Sequence, residues 1–524
     1  MTSTAPASFN AADYLVHARV AEGLGDKTAL IGTRSVTYAE LSDEVSRVAA
    51  GLRHLGLHSD DRVLLVMSDD VEMAVTILAA FHAGLVAVPV STMLNAEELC
   101  KLVVDSGARA VIASAEFVDT ATQAVAGAAE VDHFVVTGAP PPSPHSDVTT
   151  HSWDDLARSP IGVAATNPDS WALWLYTSGT TGTPKAAMHR HENIKWVYET
   201  YGRQTLGIRA DDTCFSVAKL FFAYGIGNSL FFPLAAGATS LLMPLRPTVE
   251  SVADRLAQGK PTLFFGVPTF YATLLNSTLP DDAFASVRWG VSAGEALPPT
   301  LMAKFHDRFG IDILDGIGST EALHIFLSNS PTDIKPGTTG KPVPGYELEI
   351  RDGDGALVPI GTPGRLYVRG ESIALGYWHR TEATRSVFEG SWLSTGDTYL
   401  QDDEGYFQCL GRSNDLLKAG GIWVSPSEVE SRLLAHPAVA EAAVVGLPDE
   451  AGLDKPIAAV VLTDDAPSTL TAAELIDWCR EGLASFKRPR DVVFVEDLPK
   501  TATGKLQRFR VRQQMLPTAT TTGV

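Results

Sequence analysis

Tyr176-Thr177-Ser178-Gly179-Thr180-Thr181-Gly182-Thr183-Pro184-Lys185 follows an apolar, strand-like run, Trp171-Ala172-Leu173-Trp174-Leu175. Two glycines, four threonines, a serine and a lysine share these ten positions. Glycine permits a tight turn and lets backbone N–H groups approach an anion. The hydroxyls add donors and Lys185 adds a full positive charge. Such a stretch suits a loop that wraps phosphate; the plain alternative is a surface turn of small residues. It is not a Walker A loop, which needs Gly-Lys-Ser/Thr, because Pro184 precedes Lys185 and Ala186 follows it.

The flanking chain reads as alternating helices and strands. Thr37-Tyr38-Ala39-Glu40 spells a capping box, and apolar periodicity predicts a helix from there to Leu57. Arg62 to Met67 reads as a buried strand, and Val71 to Ala83 as a helix stopped by Gly84. Val86 to Val90 (strand), Ala96 to Ser106 (helix) and Ala108 to Ser114 (strand) continue the alternation. This pattern predicts an α/β fold with mostly parallel sheets flanked by helices. Gly138 to Pro144, with four prolines, reads as a surface loop between two subdomains.

A chain of 524 residues, 45% hydrophobic and 20% charged, implies a soluble protein of more than one domain. Its net charge of −21 argues against nucleic acid and acidic membranes as partners. Cys100, Cys214, Cys409 and Cys479 are far apart, so neither a zinc ribbon nor a disulfide framework is indicated, and a reducing cytoplasm is expected. Residues Met1 to Asn10 do not spell a secretory signal, and no apolar run reaches the ~18 residues of a membrane span.

Three stretches tempt other chemistries. His189-Arg190-His191-Glu192 lacks the second zincin histidine, because Lys195 stands there, and reads as polar residues opening a helix. Gly290-Val291-Ser292-Ala293-Gly294 spells a nucleophile elbow, for which Asp397 and His436 could be forced into the downstream order of a serine hydrolase. Gly316-Ile317-Gly318 hints at a dinucleotide fingerprint, but Glu321 stands in place of its third glycine.

The opening stretch, Tyr-Thr-Ser-Gly-Thr-Thr-Gly-x-Pro-Lys, resembles the phosphate loop of the adenylate-forming enzymes, a group of acyl-CoA synthetases, peptide-synthetase adenylation domains and luciferases. Further motifs resemble that family in its order along nearly the whole chain. The resemblance implies that Thr177, Ser178, Gly179, Thr180, Thr181, Gly182 and Lys185 hold ATP phosphates. It places Ala293, Gly294 and Glu295 at the adenine, with Asp315 and Gly316 also in the nucleotide site. Thr320 would donate to the α-phosphate and Glu321 would hold Mg²⁺. Ile317 departs from the usual aromatic before Gly318, so adenine would lie against an aliphatic surface. Trp392 to Asp397 resembles the ribose segment, with Asp397 accepting from the ribose hydroxyls and Arg412 reaching ribose or phosphate.

Gly318-Ser319-Thr320-Glu321-x-Leu323-His324-Ile325, with Phe221-Phe222-Ala223-Tyr224-Gly225 upstream, resembles the benzoate–CoA ligase branch. There Ala223, Tyr224, Gly318, His324 and Ile325 would line a flat acyl slot, while Phe221 and Phe222 pack in the core. Gly411 to Asp415 resembles the family hinge, with the pivot left between Asn414 and Asp415. Leu498 to Lys505 resembles the C-terminal catalytic loop, with Lys505 as the lysine of adenylation. Lys418, Gly420, Gly421, Trp423 and Lys487 would serve coenzyme A. The basic cluster from Lys487 to Arg512 is expected to matter in so acidic a chain.

The expected architecture is a large domain (1–411), a hinge (412–416) and a small mobile α/β domain (417–524), as monomer or homodimer. The expected activity is ATP-dependent ligation of a small aromatic acid to CoA through an acyl-adenylate. The alternatives are a stand-alone enzyme that adenylates an aryl acid to load a carrier protein, and the hydrolase using Ser292.

Overall fold

The computed structural model describes residues 8–178, 184–412, 417–419, 422–448, 454–483, 487–500 and 506–515. The first sheet has seven strands in the order Thr149–Ser152, His133–Val136, Ala110–Ala113, Arg62–Val66, Val86–Pro89, Trp171–Ser178 and Pro184–Arg190. The first six run parallel, and the last pair is an antiparallel hairpin. The helix Tyr38–His54 starts where expected. Thr37 Oγ1 accepts from the Glu40 N–H and the Glu40 carboxylate accepts from the Thr37 N–H, which satisfies two orphan donors. It ends at His54, three residues before Leu57. Val71–His82 is mostly apolar and buried at every position but Glu72, so it packs inside the domain rather than on its surface. The segment Gly138 to Pro144 does not divide subdomains; it joins two neighbouring parallel strands of this one sheet.

The second sheet has nine strands in the order Lys341–Pro342, Ile325–Ser328, Ile313–Gly318, Trp289–Ser292, Leu263–Gly266, Thr213–Ser216, Thr239–Leu241, Thr28–Ile31 and Ser35–Thr37. Its six central strands, from Ile313–Gly318 to Thr28–Ile31, are parallel. Asp315 to Gly318 stays in the strand, because Ile325–Ser328 pairs back against it with a register shift between Ile317 and Gly318. A third, five-stranded sheet built from 347–351, 364–369, 388–389, 392–401 and 407–412 is wholly antiparallel, which helix–strand alternation does not foresee. Arg412 closes its last strand, directly opposite Asp397.

Beyond it lie a short hairpin (Leu417–Ala419 with Ile422–Val424) and the three-stranded sheet Val439–Pro448, Asp454–Leu462, Asp491–Phe494. Val424, Val429, Leu433, Val444, Val460 and Leu475 give this small unit a core of its own. Two of its helices, Pro426–Leu434 and Arg508–Met515, were not anticipated. Three members of the basic cluster form ion pairs within the small unit: Lys487 with Glu428 at 2.6 Å, Lys500 with Glu441 at 2.6 Å and Arg508 with buried Glu430 at 2.5 Å. These three have a structural role. Among the described residues no helix is long and apolar enough to cross a membrane.

Candidate active site

In open α/β sheets ligands bind beyond the carboxyl ends of the parallel strands. Those ends in the second sheet carry the singled-out residues. Thr213–Ser216 leads to Ala223 and Tyr224, Trp289–Ser292 to Ala293, Gly294 and Glu295, and Ile313–Gly318 to Thr320 and Glu321. Gly294 has φ +94°, a left-handed conformation that lets the chain turn sharply off its strand.

The turn after Gly318 is tightly built. Ser319 Oγ accepts from the Ala322 N–H, and Leu323 takes φ +65°, an uncommon value for a branched residue. The Thr320 carbonyl accepts from His189 Nε2 at 2.8 Å, and His189 Nδ1 faces the Asn193 amide at 3.1 Å. His189 and His191 do flank the start of a helix, His191–Val197, but both are fully buried and hold structure together. His191 Nδ1 accepts from the Ala11 N–H. Burial pushes the His189 pKa down to about 4, so the ring is neutral and donates from Nε2.

Glu321 is half-buried, and its Oε1 accepts from the Tyr377 hydroxyl at 2.5 Å. Burial, then the Glu321 charge, raise the Tyr377 pKa, so the phenol keeps its proton and donates. Lys185 Nζ lies 5.3 Å from the centre of the same Tyr377 ring. The phosphate stretch is shorter than expected. Tyr176 to Ser178 and Pro184 to Lys185 belong to paired strands, and the connection 179–183, with Gly179, Thr180, Thr181 and Gly182, lies outside the described residues. The Tyr176 hydroxyl donates to Asp105 at 2.8 Å, which anchors the stem of the loop.

The residues expected to line the acyl slot gather around His324. His324, 2% exposed, sits with ring centres 5.6 Å from Tyr201, 5.6 Å from Tyr224 and 4.5 Å from Phe232. Its Nε2 faces two acceptors, the Tyr224 carbonyl at 3.3 Å and Asn228 Oδ1 at 3.1 Å, so Nε2 carries the proton. Nδ1 is left without a partner. Burial lowers the His324 pKa to about 3, so the ring is neutral. The Tyr224 hydroxyl is spent on the carbonyls of Gly266 (3.2 Å) and Val291 (3.0 Å), leaving its ring as the available surface. A side chain at Gly318 would place its Cβ 2.4 Å from the His324 carbonyl oxygen, so only glycine fits. Ala223 and Ile325 are buried beside them, as is Phe221, with Phe222 half-buried.

Asp315 and Gly316 lie one strand from Ser292. Burial pushes the Asp315 carboxyl well above the usual range, and its Oδ1 has no hydrogen-bond partner. Asp397, 7% exposed, pairs with Arg412 at 3.2 Å, and Arg412 also donates to the Thr395 carbonyl at 2.8 Å. Lys418 and Trp423 face each other across the hairpin backbone. Gly420, Gly421, Asn414, Asp415 and Lys505 lie outside the described residues.

Among the described residues no hydrolase triad assembles: Ser292 Oγ is buried without a partner there, Asp397 is engaged by Arg412, and His436 packs edge-on against Trp478 in the small unit. Sequence reasoning missed Tyr377, Asn228, Tyr201 and Asp105. Each earns its place through a contact made far along the chain, and no local pattern marks any of them.

Residues 17–378 match the AMP-binding enzyme family, and residues 428–505 match the AMP-binding enzyme C-terminal domain. The chain belongs to this family of adenylate-forming enzymes, in its benzoate–CoA ligase branch. It is 44% identical to the benzoate–CoA ligase of Thauera aromatica, over 97% of this chain and 96% of that one. It is 42% identical to the 4-hydroxybenzoate–CoA/benzoate–CoA ligase of Rhodopseudomonas palustris, over 97% and 94%. Among solved structures, a benzoate CoA ligase from Burkholderia xenovorans LB400 aligns with TM-score 0.87 and 46% identity, covering 96% of this chain and 100% of that one.

Proposed function

We propose that the cleft joins benzoate, or a lightly substituted benzoate, to coenzyme A at the expense of ATP. The enzyme is an AMP-forming acid–thiol ligase. The observation that carries the reading is that one turn, from Gly318 to Ile325, joins the aromatic cluster around His324 to the Glu321–Tyr377–Lys185 group, with Lys185 brought in from the edge of the other sheet.

A carboxylate is a poor acyl donor, because oxide would have to leave. In the first step a carboxylate oxygen attacks the α-phosphorus, the bond to the β-phosphate oxygen breaks and pyrophosphate departs. Charge grows on the phosphate oxygens, so fixed cations and N–H donors lower the barrier most. Lys185 and Lys505 would supply cations, and Thr320 a donor at the α-phosphate. Asp397 would hold the ribose, with Arg412 beside it, and Asp315 would meet the adenine edge. In the second step the CoA thiol loses its proton and attacks the acyl carbonyl, and AMP leaves with the bonding pair. The small domain, with Lys418, Gly420, Gly421, Trp423 and Lys487, would swing about the segment near 412–416 to admit CoA.

Among the described residues no group of three or more His, Cys, Asp or Glu is arranged to hold a metal. One carboxylate with a free oxygen suits Mg²⁺, which typically takes one or two carboxylates and completes its shell with substrate phosphates and water. Glu321 would hold it, and the ion would neutralise phosphate charge.

A pyrophosphate-release screen over benzoate, hydroxybenzoates, aminobenzoates, cinnamates and fatty acids, with and without CoA, tests the assignment. Release with benzoates and a CoA-dependent thioester are expected; silence across the aromatic acids would refute it. His324→Ala should change the ranking of acids by about tenfold, because one wall of the slot is removed, while the KM for ATP stays within a factor of about two. An unchanged ranking would take His324 out of the slot. Gly318→Ala should cut kcat/KM for the acid at least about tenfold, since its Cβ meets a backbone oxygen that cannot rotate away.

A further inference from the structure

Tyr377 touches two groups that the proposed chemistry needs apart. Its hydroxyl donates to Glu321 Oε1 at 2.5 Å, and its ring face lies 5.3 Å from Lys185 Nζ. One side chain thus contacts both a carboxylate and an ammonium. Among the described residues no Lys185–Glu321 ion pair forms. Such a pair would consume the negative charge meant for a cation and the positive charge meant for phosphate.

The segment carrying Tyr377 is held on several sides. The Tyr377 N–H donates to Thr384 Oγ1 at 3.0 Å and the Trp378 N–H to the Ala186 carbonyl at 2.9 Å. The Trp378 indole donates to the Asp105 carbonyl at 3.0 Å, and Arg380 pairs with the Asp105 carboxylate at 2.5 Å. Upstream, the Ala374 N–H donates to the Glu321 carbonyl at 2.8 Å. The same segment is thus tied to the strand of Lys185, to the turn of Glu321 and, through Asp105, to the stem of the phosphate loop. A ring held this firmly presents its hydroxyl and its face in set directions.

We propose that Tyr377 is a positioning residue. It orients one oxygen of Glu321 so that the other faces a divalent cation on the ATP phosphates, and it keeps Lys185 from collapsing onto that carboxylate. The inference rests on the adenylate-forming reading and adds a specific spacer to it. Tyr377→Phe keeps the ring beside Lys185 but removes the bond to Glu321. Tyr377→Leu removes both.

The test compares both variants with the wild type in pyrophosphate release across a Mg²⁺ titration, and in thioester formation from supplied benzoyl-AMP and CoA. Mn²⁺ binding in the presence of ATP, followed by water-proton relaxation, gives a readout independent of turnover. For Tyr377→Phe we expect the half-saturating Mg²⁺ and the Mn²⁺ dissociation constant to rise about tenfold, with the KM for benzoate and the supplied-adenylate step within about twofold. Tyr377→Leu should add a rise of similar size in the KM for ATP. An unchanged metal requirement in Tyr377→Phe overturns the proposal. So does an equal loss in both half-reactions, which would mark a structural role. A wild type that releases no pyrophosphate with any aromatic acid would instead overturn the reading of the whole cleft.

Discussion

Lys505→Ala is expected to slow acyl-adenylate formation by about 10²–10³-fold, the usual cost of removing one preorganised group that stabilises developing charge. The same variant should convert supplied benzoyl-AMP and CoA to the thioester at a rate within a few-fold of wild type. The asymmetry follows from where charge develops. In the first step negative charge gathers on the phosphate oxygens, and an ammonium there stabilises the transition state more than the ground state. In the second, charge moves from sulfur through the acyl oxygen to a departing AMP that is already anionic, so an ammonium at the phosphate matters less. Rapid-quench measurement of the two half-reactions separates them. If both survive the substitution, or both collapse together, the role given to Lys505 is wrong.

Stability should fall steeply on mild acidification, before the ordinary carboxylates titrate. His17, His189, His191 and His324 are held neutral, with burial pushing their pKa values down to about 4, 4, 3 and 3. Burial also lowers the pKa of His82, which is hydrogen-bonded to His17 at 2.9 Å. Unfolding returns such groups to about 6.5, so below that pH the unfolded chain binds protons that the folded one refuses. Their stabilisation is present above pH 6.5 and is lost as pH falls toward their folded values. At pH 5.5 each of His17, His189, His191 and His324 costs about 1.4 kcal/mol. Carboxyls raised by burial, Asp60 among them, oppose the trend. Burial raises Asp69 to about 6 and Asp315 well above its usual range, so the folded chain holds protons there that the unfolded one releases. The net expectation is a loss of about 2–4 kcal/mol between pH 7.5 and 5.5, a large share of a typical ~5–15 kcal/mol. Urea midpoints at pH 7.5, 6.5 and 5.5 read this directly. A midpoint that stays level or rises on acidification would contradict it.

The helix–strand rhythm of the first 120 residues is legible because its punctuation is local. Thr37 with Glu40 and Asn95 with Glu98 each form a capping box, and Gly107 closes a helix at φ +58°. Pro426–Leu434 carried its own signal, a proline in the first turn after Ser425, and could have been read. Arg508–Met515 could not. It interleaves basic and polar residues with few apolar ones, and its only fully buried member is Val511. The antiparallel third sheet was invisible for another reason: its strands pair across separations that no local period records.

The stretches proposed to serve phosphate, ribose and catalysis stand out in the chain alone because they pack glycines, hydroxyls and cations into short runs. The hydrolase reading could be set aside only in three dimensions, where Ser292 lies buried and His436 packs elsewhere. The same holds for Tyr377 on Glu321, 56 residues apart, and for Asn228 on His324, 96 apart. A side chain's partner at such distances is set by how sheets and helices pack, so local spelling names the groups while tertiary packing decides which of them meet.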